Sequence, residues 1–134
     1  MTTPIARRAR RVLLVEDDVK LADLLQRWLS TDGWSVVMAG SGDTALAAAE
    51  AHVFDAIVLD IMIPHPDGLE VCRHLRSDGY QSPIVAITAR PEERARALAA
   101  GADELLTKPF HLPLLTDLLA ALASGLHAPV GATP

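Results

Sequence analysis

Acidic side chains stand directly after short apolar runs, a placement that can hold a divalent cation and turn a carboxylate into a nucleophile. Val12-Leu13-Leu14-Val15 is followed by Glu16, Asp17 and Asp18, and Ala56-Ile57-Val58-Leu59 by Asp60. Ile84-Val85-Ala86-Ile87 is followed by Thr88, and Lys108 and Pro109 stand just past Glu104-Leu105-Leu106-Thr107. Two carboxylates about 4 Å apart repel by roughly 4 kcal/mol even at an effective dielectric of about 20, so Glu16, Asp17 and Asp60 in one pocket call for a cation. Oxygen-only ligands with room for water suit Mg²⁺. A carboxylate such as Asp60 beside that ion can take a phosphoryl group as an aspartyl phosphate. Lys108 would then bring positive charge to the phosphoryl oxygens and Thr88 a hydroxyl hydrogen bond. Asp18 reads instead as the cap of the helix that follows it.

The elements that must position these groups alternate in period. The four-residue runs rich in branched side chains read as strands buried on both faces, with Ser35-Val36-Val37-Met38 and Glu104-Leu105-Leu106-Thr107 as weaker strands, the latter near an edge. Leu21, Leu24, Leu25, Trp28 and Leu29 recur at helical spacing before the stop signal Asp32-Gly33. Further helices are expected from Thr44 to Ala51 with Ser41 or Gly42 near its start, and from Leu69 to Arg76, Pro91 to Ala100 and Leu112 to Leu122, with Asp67 capping the third. Five strands alternating with five helices imply right-handed βαβ units and a three-layer α/β fold. In such a sheet ligands bind beyond the carboxyl ends of the strands, which is where the acidic groups, Thr88 and Lys108 fall.

Composition narrows the function classes. The 134 residues suit one domain, and with half of them hydrophobic and 22% charged they can bury a core. One cysteine excludes a disulfide framework and a multi-cysteine zinc site. No apolar run is long enough for a membrane span or a signal peptide, so a cytoplasmic domain is expected. The net charge of −5 argues against direct nucleic-acid binding. Four of the 12 basic residues, Arg7, Arg8, Arg10 and Arg11, crowd the start; without them 8 bases face 17 acids. Residues 1–10 read as a flexible basic arm, 11–123 as the domain, and 124–134 as a flexible tail or linker remnant, leaving no length for an output domain.

Four stretches carry a family resemblance: Leu14-Val15-Glu16-Asp17-Asp18; Val58-Leu59-Asp60-Ile61-Met62-Ile63-Pro64 with Asp67-Gly68-Leu69-Glu70-Val71; Thr88-Ala89-Arg90; and Gly101-Ala102-Asp103 through Lys108-Pro109-Phe110. Together they resemble the receiver domain of two-component response regulators, closest to the receivers of winged-helix transcription regulators. The resemblance implies a flavodoxin-like (βα)5 fold with a parallel five-stranded sheet in the order 2-1-3-4-5. It implies a phosphoacceptor switch in which Asp60 takes a phosphoryl group from a sensor histidine kinase, a phosphotransfer protein or acetyl phosphate. Asp17, Asp60 and the main-chain carbonyl of Met62 would ligate Mg²⁺ (Mn²⁺ as the alternative ion), with Glu16 acting through water. Thr88 and Lys108 would contact the phosphoryl group, and the Lys108–Pro109 bond would be cis. The output would be a downstream protein target or a homodimer through the face built by the fourth helix, fifth strand and fifth helix. Such a domain phosphorylates and dephosphorylates itself and is not a turnover enzyme.

Two positions depart from the family pattern. Leu105 stands where the family carries Tyr or Phe, a ring that turns inward when the threonine moves. Thr88 and Lys108 are 20 positions apart, closer than is usual, so the segment after the fourth strand is shortened and expected to move less. The expectation is intact phosphorylation chemistry with an altered relay. The rival readings are a degenerate receiver acting as a constitutive scaffold and a haloacid-dehalogenase-like phosphatase. The phosphatase would need an Asp two residues after the nucleophile, where this chain has Met62.

Overall fold

In the computed structural model, which describes residues 9–125, every strand lies parallel to its neighbours. The chain runs β1 (Arg11–Val15), α1 (Val19–Thr31), β2 (Ser35–Ala39), α2 (Gly42–Ala51), β3 (Ala56–Asp60), α3 (Gly68–Ser77), β4 (Ile84–Thr88), a 3-10 turn (Pro91–Glu93), α4 (Arg94–Ala100), β5 (Glu104–Thr107) and α5 (Leu112–Ala123). The sheet order is β2-β1-β3-β4-β5, the flavodoxin-like order expected from the motifs. β5 is an edge strand, as its composition predicted. The basic-arm and tail readings of 1–10 and 124–134 fall outside the described residues, except at residues 9–10 and 124–125.

Alternation along each strand divides the core into two layers. Leu13, Val15, Ile57, Leu59, Ile84, Ala86 and Leu105 join the residues of α3 and α4 on one side of the sheet. Val12, Leu14, Ala56, Val58, Val85, Ile87 and Leu106 meet Leu25, Leu29, Leu115 and Leu119 of α1 and α5 on the other. Successive strand side chains point to opposite faces, so a continuous apolar run is what a sheet covered on both faces requires. Cys72 is buried on α3, and burial pushes its thiol up to about 11, which suits a packed small side chain rather than a reactive one.

The helix starts follow the cap chemistry. Asp18 accepts from the backbone N–H groups of Lys20 and Leu21, and Asp67 accepts from Glu70. Ser41 and Thr44 form a reciprocal box at the start of α2, where the sequence places Ser41 or Gly42 near the helix start. The helix expected over Pro91 to Ala100 is divided: Pro91–Glu93 winds as a 3-10 turn and only Arg94–Ala100 is α-helical. Proline with two following glutamates is suited to the first turn of either helix type, so the sequence pattern does not distinguish them. Both the His65–Pro66 and Lys108–Pro109 peptide bonds are cis.

Arg76 joins the far ends of several elements. Its guanidinium donates to the carbonyls of Gly101 (2.9 Å), Tyr80 (2.7 Å) and Ser82 (2.9 Å) and to Asp103 Oδ2 (2.9 Å). Gly101 closes α4 with φ +115, and a Cβ there would lie 2.4 Å from Arg76 Cγ, so the helix end and the arginine stem share one space. Arg76→Ala removes a donor from three carbonyls and from Asp103, whose Oδ2 keeps the Ile84 N–H at 2.8 Å. The expected loss is about 2–4 kcal/mol of unfolding free energy by urea titration, since partners left behind in a mostly buried network lose more than a surface pair would.

Candidate functional site

The carboxyl ends of β1, β3, β4 and β5 meet on one rim. Backbone bonds carry the ladder past each strand and hold the first loop residues in place: Glu16 N–H donates to the Ala39 carbonyl (3.0 Å), Ile61 N–H to Ile87 (3.1 Å), and Lys108 N–H to Thr88 (2.7 Å). This construction brings Glu16, Asp17 and Asp60 together, with one carboxylate oxygen from each lying within 4.8 Å of the others. Glu16 and Asp60 are buried and Asp17 is exposed, so the cluster opens to solvent on one side.

Lys108 closes the inner side. Its Nζ donates to Glu16 Oε1 at 2.8 Å and to Asp60 Oδ2 at 2.7 Å. The second oxygen of each carboxylate takes a backbone donor: Asp18 N–H to Glu16 Oε2 (3.0 Å) and Met62 N–H to Asp60 Oδ1 (2.8 Å). Thr88 is fully buried, and its Oγ1 accepts from Arg90 N–H at 3.2 Å. The residues singled out at the strand ends are thus on one rim, and the main chain of Met62 abuts Asp60 while its side chain is half exposed.

Electrostatics sort the two buried carboxyls from their cation. Burial is the largest effect on Glu16 and raises it from an ordinary 4.5 to about 7, against the lowering pull of Lys108 and of the Asp18 N–H; Asp60 adds to the rise. Burial pulls the Lys108 ammonium down, but its bonds to Asp60 and Glu16 outweigh that and hold it above its usual value. A carboxyl raised on folding contributes its stability below 4.5 and loses it as pH rises through about 7, because the folded site then holds a charge it solvates poorly. An oxygen-coordinated cation binds the ionised form and must displace that proton. Mg²⁺ affinity is therefore expected to fall about tenfold between pH 8 and pH 6, measured calorimetrically. A flat profile would contradict this role for Glu16.

Leu105 is buried in the layer shared with α3 and α4. Beside it, the buried Glu104 pairs with Arg94 at the start of α4, and Arg94 Nη1 lies 3.5 Å from the Leu105 carbonyl. The Arg94–Glu104 pair and the Arg76 network are features that motif reading missed. Arg94 and Glu104 lie 10 positions apart, and Arg76 and its carboxylate partner Asp103 lie 27 apart, with no periodic signature.

A family model for the response regulator receiver domain matches residues 12–120. The response regulator MprA of Mycolicibacterium vanbaalenii is 47% identical over 114 residues, which cover 84% of this chain and 49% of that protein. The chain thus spans about half the length of the curated relatives it matches. Among solved structures, the receiver domain of the Francisella response regulator 1452 superposes with a TM-score of 0.82 at 28% identity, covering 88% of this chain and 99% of that one. The receiver domain of the Pseudomonas aeruginosa sensor histidine kinase PA1611, with a magnesium ion coordinated in its active-site cleft, gives 0.81 at 30% identity and covers 87% and 99%. Neither the described structure nor these relatives support the phosphatase or constitutive-scaffold alternatives.

Proposed function

Since this chain belongs to the family of response regulator receiver domains and so serves two-component signalling, we propose that Asp60 is its phosphoacceptor and that Glu16, Asp17, Thr88, Lys108 and the Met62 carbonyl complete the site. The observation that carries this reading is the Lys108 ammonium held between Glu16 and Asp60 beside a three-carboxylate cluster open to solvent. An oxygen of Asp60 attacks phosphorus, and the bond from phosphorus to the donor's histidine nitrogen or acyl oxygen breaks. The bonding pair leaves with the donor. Lys108 shields the incoming phosphoryl oxygens from the carboxylates and the Thr88 hydroxyl donates to one of them. The donor set fits Mg²⁺, with Mn²⁺ as the alternative, held by Asp17, Asp60 and the Met62 carbonyl, with Glu16 acting through water. When bound, the ion would supply positive charge against the negative charge gathered at the site.

The domain so read is a regulatory phosphoacceptor in the cytoplasm, loaded by a sensor histidine kinase or a phosphotransfer protein. It acts on a protein target or a second copy through the α4-β5-α5 face, without direct nucleic-acid contact. Leu114 on α5 is half exposed, and among the described residues no helix is long and apolar enough to cross a membrane. The test is intact mass after incubation with acetyl phosphate and Mg²⁺. One added phosphoryl group in the wild type and none in Asp60→Asn supports the reading; no adduct, or an adduct in Asp60→Asn, overturns it.

The relay beyond the site is altered in this reading. A buried leucine has no planar ring to swing between two positions, and Arg94 ties α4 to β5. A beryllium fluoride complex with Mg²⁺ is expected to leave the backbone of residues 88–94 close to its resting course, as followed by amide chemical shifts. A large rearrangement of that segment would count against it.

A further inference from the structure

The loop between β3 and α3 carries the Met62 backbone, yet two glycines outside its span shape its course. Gly68, the first residue of α3, donates its N–H to the Ile61 carbonyl at 3.1 Å, and a Cβ there would lie 2.3 Å from Ile61 Cα. At the far side, the first two N–H groups of α2 reach across to the loop: Gly42 donates to the Pro64 carbonyl at 2.9 Å and Asp43 to the His65 carbonyl at 3.1 Å. First-turn N–H groups have no partner inside their own helix, so these bonds cost α2 nothing. Gly42 is buried, and a Cβ on it would sit 2.0 Å from the Pro66 carbonyl oxygen and 2.7 Å from its Cδ. Only glycine lets the helix end and the loop approach this closely. Gly40, two residues earlier, has open space around the same position.

We propose that Gly42 is a positioning residue for phosphoryl transfer. Its contact with Pro64, His65 and Pro66 clamps the loop to α2 and sets the Met62 backbone against Asp60. The inference rests on the assignment of Asp60 and its neighbours made above. A Cβ at Gly42 pushes on backbone, which cannot swing aside as a flexible side chain would, so the displacement passes along the loop to Met62. The loop ends at Asp67 and Gly68, where the tight Gly68–Ile61 contact leaves little slack to absorb it.

The test compares Gly42→Ala with Gly40→Ala and with Leu119→Ala, a core change on α5 far from the loop, in the full chain well below its unfolding temperature. Gly42→Ala is expected to weaken Mg²⁺ binding and slow phosphorylation by acetyl phosphate by about ten- to a hundredfold, the range seen when outer-shell supports of a metal site are removed. Gly40→Ala and Leu119→Ala should keep the wild-type Mg²⁺ affinity, which a general loss of stability in the folded protein does not move. If Gly42→Ala does not fold, Pro66→Gly loosens the same contact from the loop side and should weaken Mg²⁺ binding in the same direction. Wild-type Mg²⁺ affinity and rate in the folded variant of this pair, or an equal loss in Leu119→Ala, overturn the proposal. A wild-type chain that neither binds Mg²⁺ nor takes a phosphoryl group overturns the site assignment, and this inference with it.

Discussion

Lys108→Met is expected to lower the stability of the metal-free protein at pH 8 by about 3–5 kcal/mol, by urea titration, and to slow phosphorylation about a hundred- to a thousandfold. The side chain of Lys108 is 23% exposed, while those of Glu16 and Asp60 are 0% and 4% exposed. Two enclosed carboxylates share one ammonium, and methionine matches its bulk without its charge. The loss is therefore electrostatic, and it has a signature that a packing defect lacks. Added Mg²⁺ should return much of the stability in Lys108→Met, because a cation in the same cluster answers the same repulsion. The sign with pH is also fixed: lowering the pH through about 7 protonates Glu16 and should narrow the gap to wild type. Phosphorylation should stay slow even with Mg²⁺ present, since the phosphoryl oxygens still lack the ammonium. A variant as stable as wild type at pH 8, or one that transfers at the wild-type rate, would remove Lys108 from the account.

The second large effect is loss of the ion itself. Chelation of divalent cations should reduce phosphorylation of Asp60 by at least about a hundredfold, because neutralising charge on a transferring phosphoryl group contributes several kcal/mol. The geometry explains why Lys108 alone is not enough. It already faces Glu16 and Asp60, and Asp17 stands exposed at the open side of the cluster. An incoming phosphoryl group adds negative charge at that open side. The fold itself should survive chelation, as judged by circular dichroism, because the two core layers lie on either face of the sheet and not at the rim. Phosphorylation that continues undiminished in chelator would contradict the metal role of the carboxylates.

Much of this site is legible in the sequence. Buried runs mark strands, the residues after each run fall on the rim by topology, and Glu16, Asp17, Asp60, Thr88 and Lys108 stand at those positions. Asp18 and Asp67 announced themselves as caps because the chemistry of a helix start is local. What stayed hidden depends on contacts between distant positions. Nothing in the sequence around Gly42 says that Pro66 will press on it, and nothing around Arg76 says that acceptors from the turn before β4 and the turn before β5 will converge there. The 3-10 turn at Pro91–Glu93 was hidden for a different reason, since its residues serve both helix types equally. The substitution at Leu105 was visible, but its consequence depends on Arg94 and Glu104, whose pairing was not.

The central claim is that phosphoryl transfer ends on one carboxylate, Asp60. Borohydride reduction converts an aspartyl phosphate to homoserine and leaves a free carboxylate alone, so reduction after acetyl phosphate and Mg²⁺ treatment, followed by peptide mapping, locates the acceptor directly. Homoserine at position 60, with Asp17 and Asp18 unchanged, is the predicted result. Conversion at Asp17 or Asp18, or none anywhere in a chain that has bound Mg²⁺, would contradict it.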